Sequence, residues 1–187
     1  YGHERVKRNG LNPWATQWVF DSLVAQLARG DTNSAKQTAA DLGHYVADAH
    51  QPLHVAKNYD GQYSGNNGIH SRYESSMINT YQALLAVHPD SVHYVRSPRD
   101  FAFEYIYHAF TYVDSVLAAD NYAKAASGWT GSGTPPSTYY AALWDRCRGF
   151  TQDQIQRGTA DLASLWYTAW VNAFFQGLAV VPESLDF

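Results

Sequence analysis

The sequence has a single cysteine, Cys147, and a single methionine among its 187 residues. One cysteine excludes an internal disulfide and any zinc site built from several cysteines. No apolar run approaches the ~20 residues that a membrane-spanning helix needs, so stable membrane insertion is not expected. The formal net charge of −4 gives no general attraction to phosphate backbones or anionic lipids. A phosphorylated substrate would therefore need bound cations to hold it.

What the chain does contain is typical of a globular domain. Its residues are 45% hydrophobic and 16% charged, and its length is enough to bury a sizeable core. We expect one domain covering residues 1–187. The aromatic share of 15% is high, and a large aromatic core explains it more simply than an aromatic-lined pocket.

Helical periodicity runs through the first half of the sequence. A first helix is predicted from Pro13 to Gly30, and a second, capped by Asp31 or Asn33, continues to about Ala49. The segment 55–69 is rich in Gly and Asn and is predicted to be a loop.

The second half continues the same pattern. A third helix is expected from about His70 to His88, and another begins at Pro98 behind its Ser97 cap. After a loop at 128–137, a short helix is predicted to start at Ser137 or Thr138, and Thr151 is predicted to cap the last helix. No segment alternates like a strand. The predicted class is all-α, with roughly six helices packed as a bundle.

Four of the eight histidines fall between Gly43 and Ser71. Two pairs within or beside this span are spaced by four residues, which places both members on one helix face. Pro52 ends the second helix and can turn the chain so that another histidine returns toward it. The predicted metal ligands are His44, Asp48, His54, His70 and Glu74.

Imidazole nitrogens and carboxylate oxygens suit zinc, and three protein ligands leave a coordination position for water. Either pair alone would more often be an ordinary helical His–acid hydrogen bond, but all five in this order favour a metal. The remaining histidines are interpreted differently. His50 is expected beside the site or packed in the core, His108 in the core, and His88 and His93 in solvent.

The stretch HYVADAHQPLH, residues 44–54, followed by HSRYE, residues 70–74, resembles the zinc-dependent phospholipases C of bacteria. These share a helical fold with secreted zinc nucleases that cut single strands. The likeness is dense only from about residue 42 to 74. It implies a helical bundle of that type, three zinc ions, and export to the periplasm or outside the cell.

The resemblance also implies roles for the residues. His54, His70 and Glu74 would complete one zinc site, while His44 and Asp48 would bind a closely spaced metal pair, with Asp48 bridging it as the catalytic residue. The implied activity is zinc-dependent phosphoric diester hydrolysis, phospholipase C-like, with metal-activated water attacking phosphorus. The alternatives are a single-strand nuclease of the same fold and an inactive, zinc-stabilised helical or binding module.

The sequence departs from this family before His44. The family also uses an N-terminal Trp, an early His, and an Asp and another His before the position of His44, whereas the first 43 residues offer one histidine, His3, and no N-terminal Trp. We therefore expect the chain to be the C-terminal portion of a longer enzyme, with one zinc site complete. Expected partners are a phospholipid or other phosphodiester, single-stranded nucleic acid, and the missing N-terminal segment itself. Tyr59, Tyr63 and Tyr73 near the site are expected to contact a substrate or simply to pack.

Overall fold

The computed structural model describes residues 3–88, 90–174 and 184–185. These residues are mostly helical, which confirms the all-α class. None of the described helices is both long enough and apolar enough to cross a membrane. The α-helices are α1 (His3–Arg8), α2 (Asn12–Ala28), α3 (Thr32–His50), α4 (Ile69–Ser71), α5 (Ile78–Tyr81), α6 (Pro98–Phe110), α7 (Val113–Ser127) and α8 (Ser137–Phe174).

Shorter elements complete the description. A π-helical turn joins α4 to α5, and 3-10 turns follow α3 and α5; they span Arg72–Met77, Pro52–Val55 and Gln82–Leu84. Two strands of two residues, β1 (Val92–His93) and β2 (Ser184–Leu185), pair antiparallel. The sequence shows no alternating pattern at these positions, because two residues are too few to produce one.

The chain divides into two compact units. Unit 1 comprises Tyr1–Ala49, Pro89–Tyr105 and Arg157–Phe187, and unit 2 comprises His50–His88 and Ile106–Gln156. In unit 1, the absence of a side chain at Gly43 allows α3 to approach α8, since a Cβ there would lie 3.3 Å from Leu162 Cδ2. In unit 2, buried residues of the π turn, α7 and α8 form one hydrophobic cluster that includes Tyr73, Met77, Val116, Leu143 and Cys147.

The first two predicted helices are observed close to their expected bounds. Pro13 lies in the first turn of α2, where its missing N–H costs nothing. Asp31 caps α3, since its carboxylate accepts a hydrogen bond from Ser34 N at 3.2 Å. The chain leaves α3 at Gln51-Pro52, as the proline requires.

The predicted boundary at Thr151 is wrong, because α8 runs unbroken from Ser137 to Phe174. Thr151 is buried in the middle of this helix. Its hydroxyl pairs with the Tyr73 hydroxyl at 2.9 Å, and this side-chain contact replaces the capping role that the sequence suggested.

The third predicted helix ends earlier than expected, at Leu84. Beyond it, two glutamines of α8 bind the backbone as a neighbouring strand would. Gln152 Oε1 accepts from Ala86 N at 2.9 Å, and Gln156 Oε1 accepts from His88 N at 2.8 Å. Each amide nitrogen donates in return to the carbonyl of the same residue. These four hydrogen bonds hold residues 86–88 outside a helix, although the sequence predicted helix as far as His88.

A buried carboxylate lies at the centre of the polar contacts in unit 2. Asp120, on α7, is fully buried and pairs with Arg72 Nη2 at 2.9 Å and Lys124 Nζ at 2.6 Å. Asn66 Nδ2 donates to it at 2.6 Å, and the Tyr139 hydroxyl donates to its other oxygen. One anion thus connects α7, α8, the 55–69 loop and the π turn.

Replacing Asp120 by Asn should destabilise the protein strongly. The amide leaves the buried Arg72 and the partly buried Lys124 without their anion, which costs about 3 kcal/mol. Asp145→Asn is the matched control, since Asp145 meets Arg148 at 3.8 Å with both side chains exposed. The control should change the unfolding free energy by less than about 0.5 kcal/mol. Urea denaturation measures both, and equal effects of the two substitutions would contradict the assignment.

The contribution of Asp120 should also depend on pH. Burial raises its pKa, but hydrogen bonds from Lys124, Tyr139 and Asn66 and the charge of Arg72 outweigh burial, so the net pKa is lowered. A lowered folded-state pKa means that the stabilisation is complete above the unfolded value of about 3.9 and is lost as pH falls through the folded value. The difference in unfolding free energy between the native chain and Asp120→Asn should therefore be constant near neutral pH. It should shrink below about pH 4, and a difference that grew in acid would contradict this.

Candidate metal centre

Three of the five predicted ligands meet in unit 2. His54 lies on the 3-10 turn directly after Pro52, His70 on α4, and Glu74 on the π turn. Each offers one ligand atom, and these atoms lie within 4.8 Å of one another. Glu74 Oε2 is 2.9 Å from His54 Nε2 and 3.0 Å from His70 Nε2. The three side chains therefore converge on one point.

The two imidazole rings lie face to face. Their centroids are 4.8 Å apart with an interplanar angle of 26°, and both Nε2 atoms contact Glu74 Oε2. The side chains of His54, His70 and Glu74 are 26%, 30% and 42% exposed. The cluster is therefore open to solvent on one side, which leaves room for a further ligand.

His70 has its orientation and tautomer fixed by the backbone. Its Nδ1 lies 3.0 Å from the carbonyl oxygen of Tyr59. A carbonyl can only accept, so Nδ1 carries the proton. In the neutral ring, Nε2 is then an acceptor that faces the Glu74 carboxylate 3.0 Å away. Two acceptors at that distance repel unless a proton or a metal cation lies between them.

Glu74 is held as an anion by its neighbours. Burial alone would raise the pKa of its carboxyl group. The hydrogen bonds from Gln51 and His54, together with the charges of His54 and His70, more than offset burial and lower the pKa. An ionised carboxylate is the form that binds a metal.

The loop before His70 is ordered by its own polar groups. The two carboxylate oxygens of Asp60 accept from Gly68 N at 3.1 Å and from His70 N at 3.2 Å. The missing side chain of Gly61 allows the backbone to approach Asn66 closely, because a Cβ on residue 61 would lie 2.4 Å from Asn66 Cβ. The loop therefore delivers His70 in a fixed position.

Arg72 anchors the same segment from below. This residue lies between His70 and Glu74 in the sequence, and its side chain is buried. It donates to the carbonyls of Asn66 and Asn67 at 3.2 and 2.7 Å. Its Nη2 also meets Asp120. The buried ion pair therefore fixes the backbone that carries two of the three ligands.

His44 and Asp48 belong to unit 1. They pair with each other on α3, with Nε2 and Oδ2 3.3 Å apart, as their four-residue spacing predicts. Convergence of all five ligands, and the bridging of two metals by Asp48, remain predictions.

The remaining histidines and the three tyrosines near the cluster differ in their exposure. His50 is buried, and its carbonyl accepts from Gln154 Nε2 at 2.7 Å. His108 is half-buried, with Nδ1 2.9 Å from Gln154 Oε1. His88 and His93 are exposed as expected. Of the three tyrosines, Tyr73 is buried, whereas Tyr59 and Tyr63 are exposed.

Two features of the site were not predicted from the sequence. Gln51 Nε2 donates to Glu74 Oε2 at 2.7 Å, and the Tyr59 carbonyl orients His70. Gln51 directly precedes the helix-ending Pro52, which was a signal in the sequence that such a side chain would lie near the turn. A backbone carbonyl leaves no signal in residue types.

No family model and no solved structure matches the chain. A protein of Bradyrhizobium tropiciagri named a probable serine protease is 25% identical over 201 residues. That alignment covers 91% of this chain but 25% of the relative, so the chain spans about a quarter of the length of the curated relative it matches.

This relative contradicts the predicted activity. The chain resembles a protein named as a protease, so the prediction of a phospholipase C-like phosphodiesterase is wrong. The physical reason is that a set of metal ligands specifies a cation and not the bond that is cleaved. The predicted phospholipid, phosphodiester and nucleic-acid partners depended on that activity and have no support in this relative. The catalytic role of Asp48 stays a prediction.

The loop geometry predicts different costs at two glycines with positive φ. Gly65 (φ +75°) has open space around its Cβ position, whereas a Cβ on Gly68 (φ +79°) would lie 2.8 Å from Arg72 Nη1. Gly65→Ala should cost about 1 kcal/mol through backbone strain alone. Gly68→Ala should cost about 2–3 kcal/mol, because the buried Arg72 cannot move away. Guanidinium denaturation in the presence of a chelator measures both, and equal costs would contradict the close approach.

Proposed function

We propose that this chain is a helical metal-binding module that holds a divalent cation, with zinc preferred, at His54, His70 and Glu74. One observation carries the proposal. Glu74 Oε2 lies 2.9 Å from His54 Nε2 and 3.0 Å from His70 Nε2. The Nδ1–H of His70 donates to the Tyr59 carbonyl, which leaves its Nε2 as the ring atom that can bind a cation. A cation bound by all three would take the place of the protons that otherwise lie between these atoms.

The ligand chemistry supports zinc over other cations. Two imidazoles and a carboxylate are the ligand types that zinc takes, and three protein ligands leave one position for water or another molecule. Calcium and magnesium prefer sets made of oxygen alone. The second-shell bond from His70 Nδ1 to a backbone carbonyl is the partner that metal-binding histidines usually have.

The proposed site holds a single cation. Three zinc ions were expected, but the described residues bring one three-ligand cluster together, so we propose one. His44 and Asp48 would need ligands from elsewhere to hold another. We further infer that the helices and the ligand order are of the type found in zinc-dependent phospholipases C and zinc nucleases.

A second candidate function follows from the relative's name, which suggests peptide-bond cleavage by a serine nucleophile. In unit 1, Ser164 Oγ lies 3.4 Å from His93 Nδ1. Ser164 is fully buried, and its hydroxyl donates to the Ala160 carbonyl at 2.9 Å, so this contact is structural. Proteolysis that a serine-directed inhibitor abolishes, and that a zinc chelator leaves unchanged, would favour this candidate.

The metal proposal is tested by calorimetric titration with zinc and by mass spectrometry of the native protein. We expect one equivalent to bind to the three-ligand cluster. His70→Ala and Glu74→Ala should each weaken binding by more than about 100-fold, because a ligand contributes more than an outer-shell partner. His88→Ala is the control, since His88 is exposed in the same unit. Undiminished binding by the double variant of His70 and Glu74, or no binding by the native chain, would refute the proposal.

A further inference from the structure

Gln51 connects the end of α3 to the metal cluster through both atoms of its amide. Its Oε1 accepts from Leu53 N at the start of the 3-10 turn, and its Nε2 donates to Glu74 Oε2 at 2.7 Å. A backbone N–H can only donate, so the Leu53 contact fixes which end of the amide is the oxygen. The nitrogen is therefore directed at Glu74.

The oxygen that Gln51 contacts is the one that faces both imidazoles. Glu74 Oε2 lies within 3.0 Å of His54 Nε2 and His70 Nε2. A hydrogen bond to this oxygen restrains rotation of the carboxylate and occupies one of its lone-pair directions. Both imidazole nitrogens contact this same oxygen, so Oε2 is the Glu74 atom offered to a cation bound there.

We infer that Gln51 is a positioning residue that makes the site selective for a four-coordinate cation of the zinc type. This inference rests on the proposed metal-binding function. One carboxylate oxygen and two imidazoles fit a tetrahedral ion with one open position. Calcium, which takes six to eight oxygen ligands and often both oxygens of a carboxylate, gains nothing from a carboxylate held in this way.

The same chain contains a matched glutamine away from the cluster. Gln62, in the 55–69 loop, also uses both ends of its amide, accepting from Asp60 N at 3.0 Å and donating to the Lys57 carbonyl at 2.8 Å. It makes no contact with His54, His70 or Glu74 in these bonds. Replacing Gln62 therefore removes two local hydrogen bonds without releasing a ligand.

The experiment compares Gln51→Met with Gln62→Met in the whole chain. Zinc and calcium affinities are measured by competition with a chromogenic chelator, and coordination is measured by the visible absorption of bound cobalt. For Gln51→Met we expect zinc affinity to fall by about 10- to 100-fold, and calcium affinity to stay the same or rise. The intense four-coordinate cobalt spectrum should weaken as Glu74 rotates. Gln62→Met should keep the native affinity and spectrum.

A second variant guards against misfolding. Gln51→Asn retains an amide that is one methylene too short to reach Glu74 from the Leu53 contact, and it should show the same spectral change. Circular dichroism establishes that each variant is folded. If the native chain binds zinc and both Gln51 variants keep its affinity and cobalt spectrum, this inference is overturned and the metal site stands. If the native chain binds no zinc, both proposals fail.

Discussion

The buried carboxylate of Asp120 is the interaction on which the geometry of unit 2 depends. Removing a charge from water is costly, and the cost is offset only when partners surround the charge. Asp120 has two cationic partners, Arg72 and Lys124, and two neutral donors, Asn66 and Tyr139. Because Arg72 lies between His70 and Glu74 in the sequence, the ion pair also fixes the backbone of both ligands. The backbone that carries His70 and Glu74 is therefore held by buried polar contacts.

The π turn at Arg72–Met77 lets consecutive side chains make contacts in different directions. Arg72 and Tyr73 are both buried, one bonded to Asp120 and the other to Thr151. Glu74, the next residue, must instead face His54 and His70. A wider turn alters the angular spacing of consecutive side chains, and such turns are frequent at functional sites. The local irregularity thus reconciles a buried ion pair with an accessible ligand.

Local patterns in the sequence predicted the helical class, the α3 cap and the approach of His54, His70 and Glu74 to one another, whereas the predicted convergence of His44 and Asp48 with them stays a prediction. A four-residue spacing on a helix and a proline that ends a helix act over short distances, so residue order alone reveals them. The contact of Arg72 with Asp120 joins residues 48 apart, and no short-range pattern encodes it. The continuation of α8 past Thr151 was also not visible in the local sequence, because the Thr151 hydroxyl pairs with the distant Tyr73 hydroxyl. The activity was mispredicted because a set of metal-binding residue types indicates which cation can bind and not which bond is cleaved.

The form of the cluster bears on whether its metal would support structure or chemistry. Structural zinc sites are closed by four protein ligands, whereas reactive ones keep a position open. Here three ligands converge and their side chains remain partly exposed, so a bound cation would be in contact with water. Asp60 and Arg72 hold the backbone of the cluster through hydrogen bonds of the protein itself, so a purely structural ion is less needed there. A preorganised, open site of this kind is better suited to binding an external ligand than to holding the fold together.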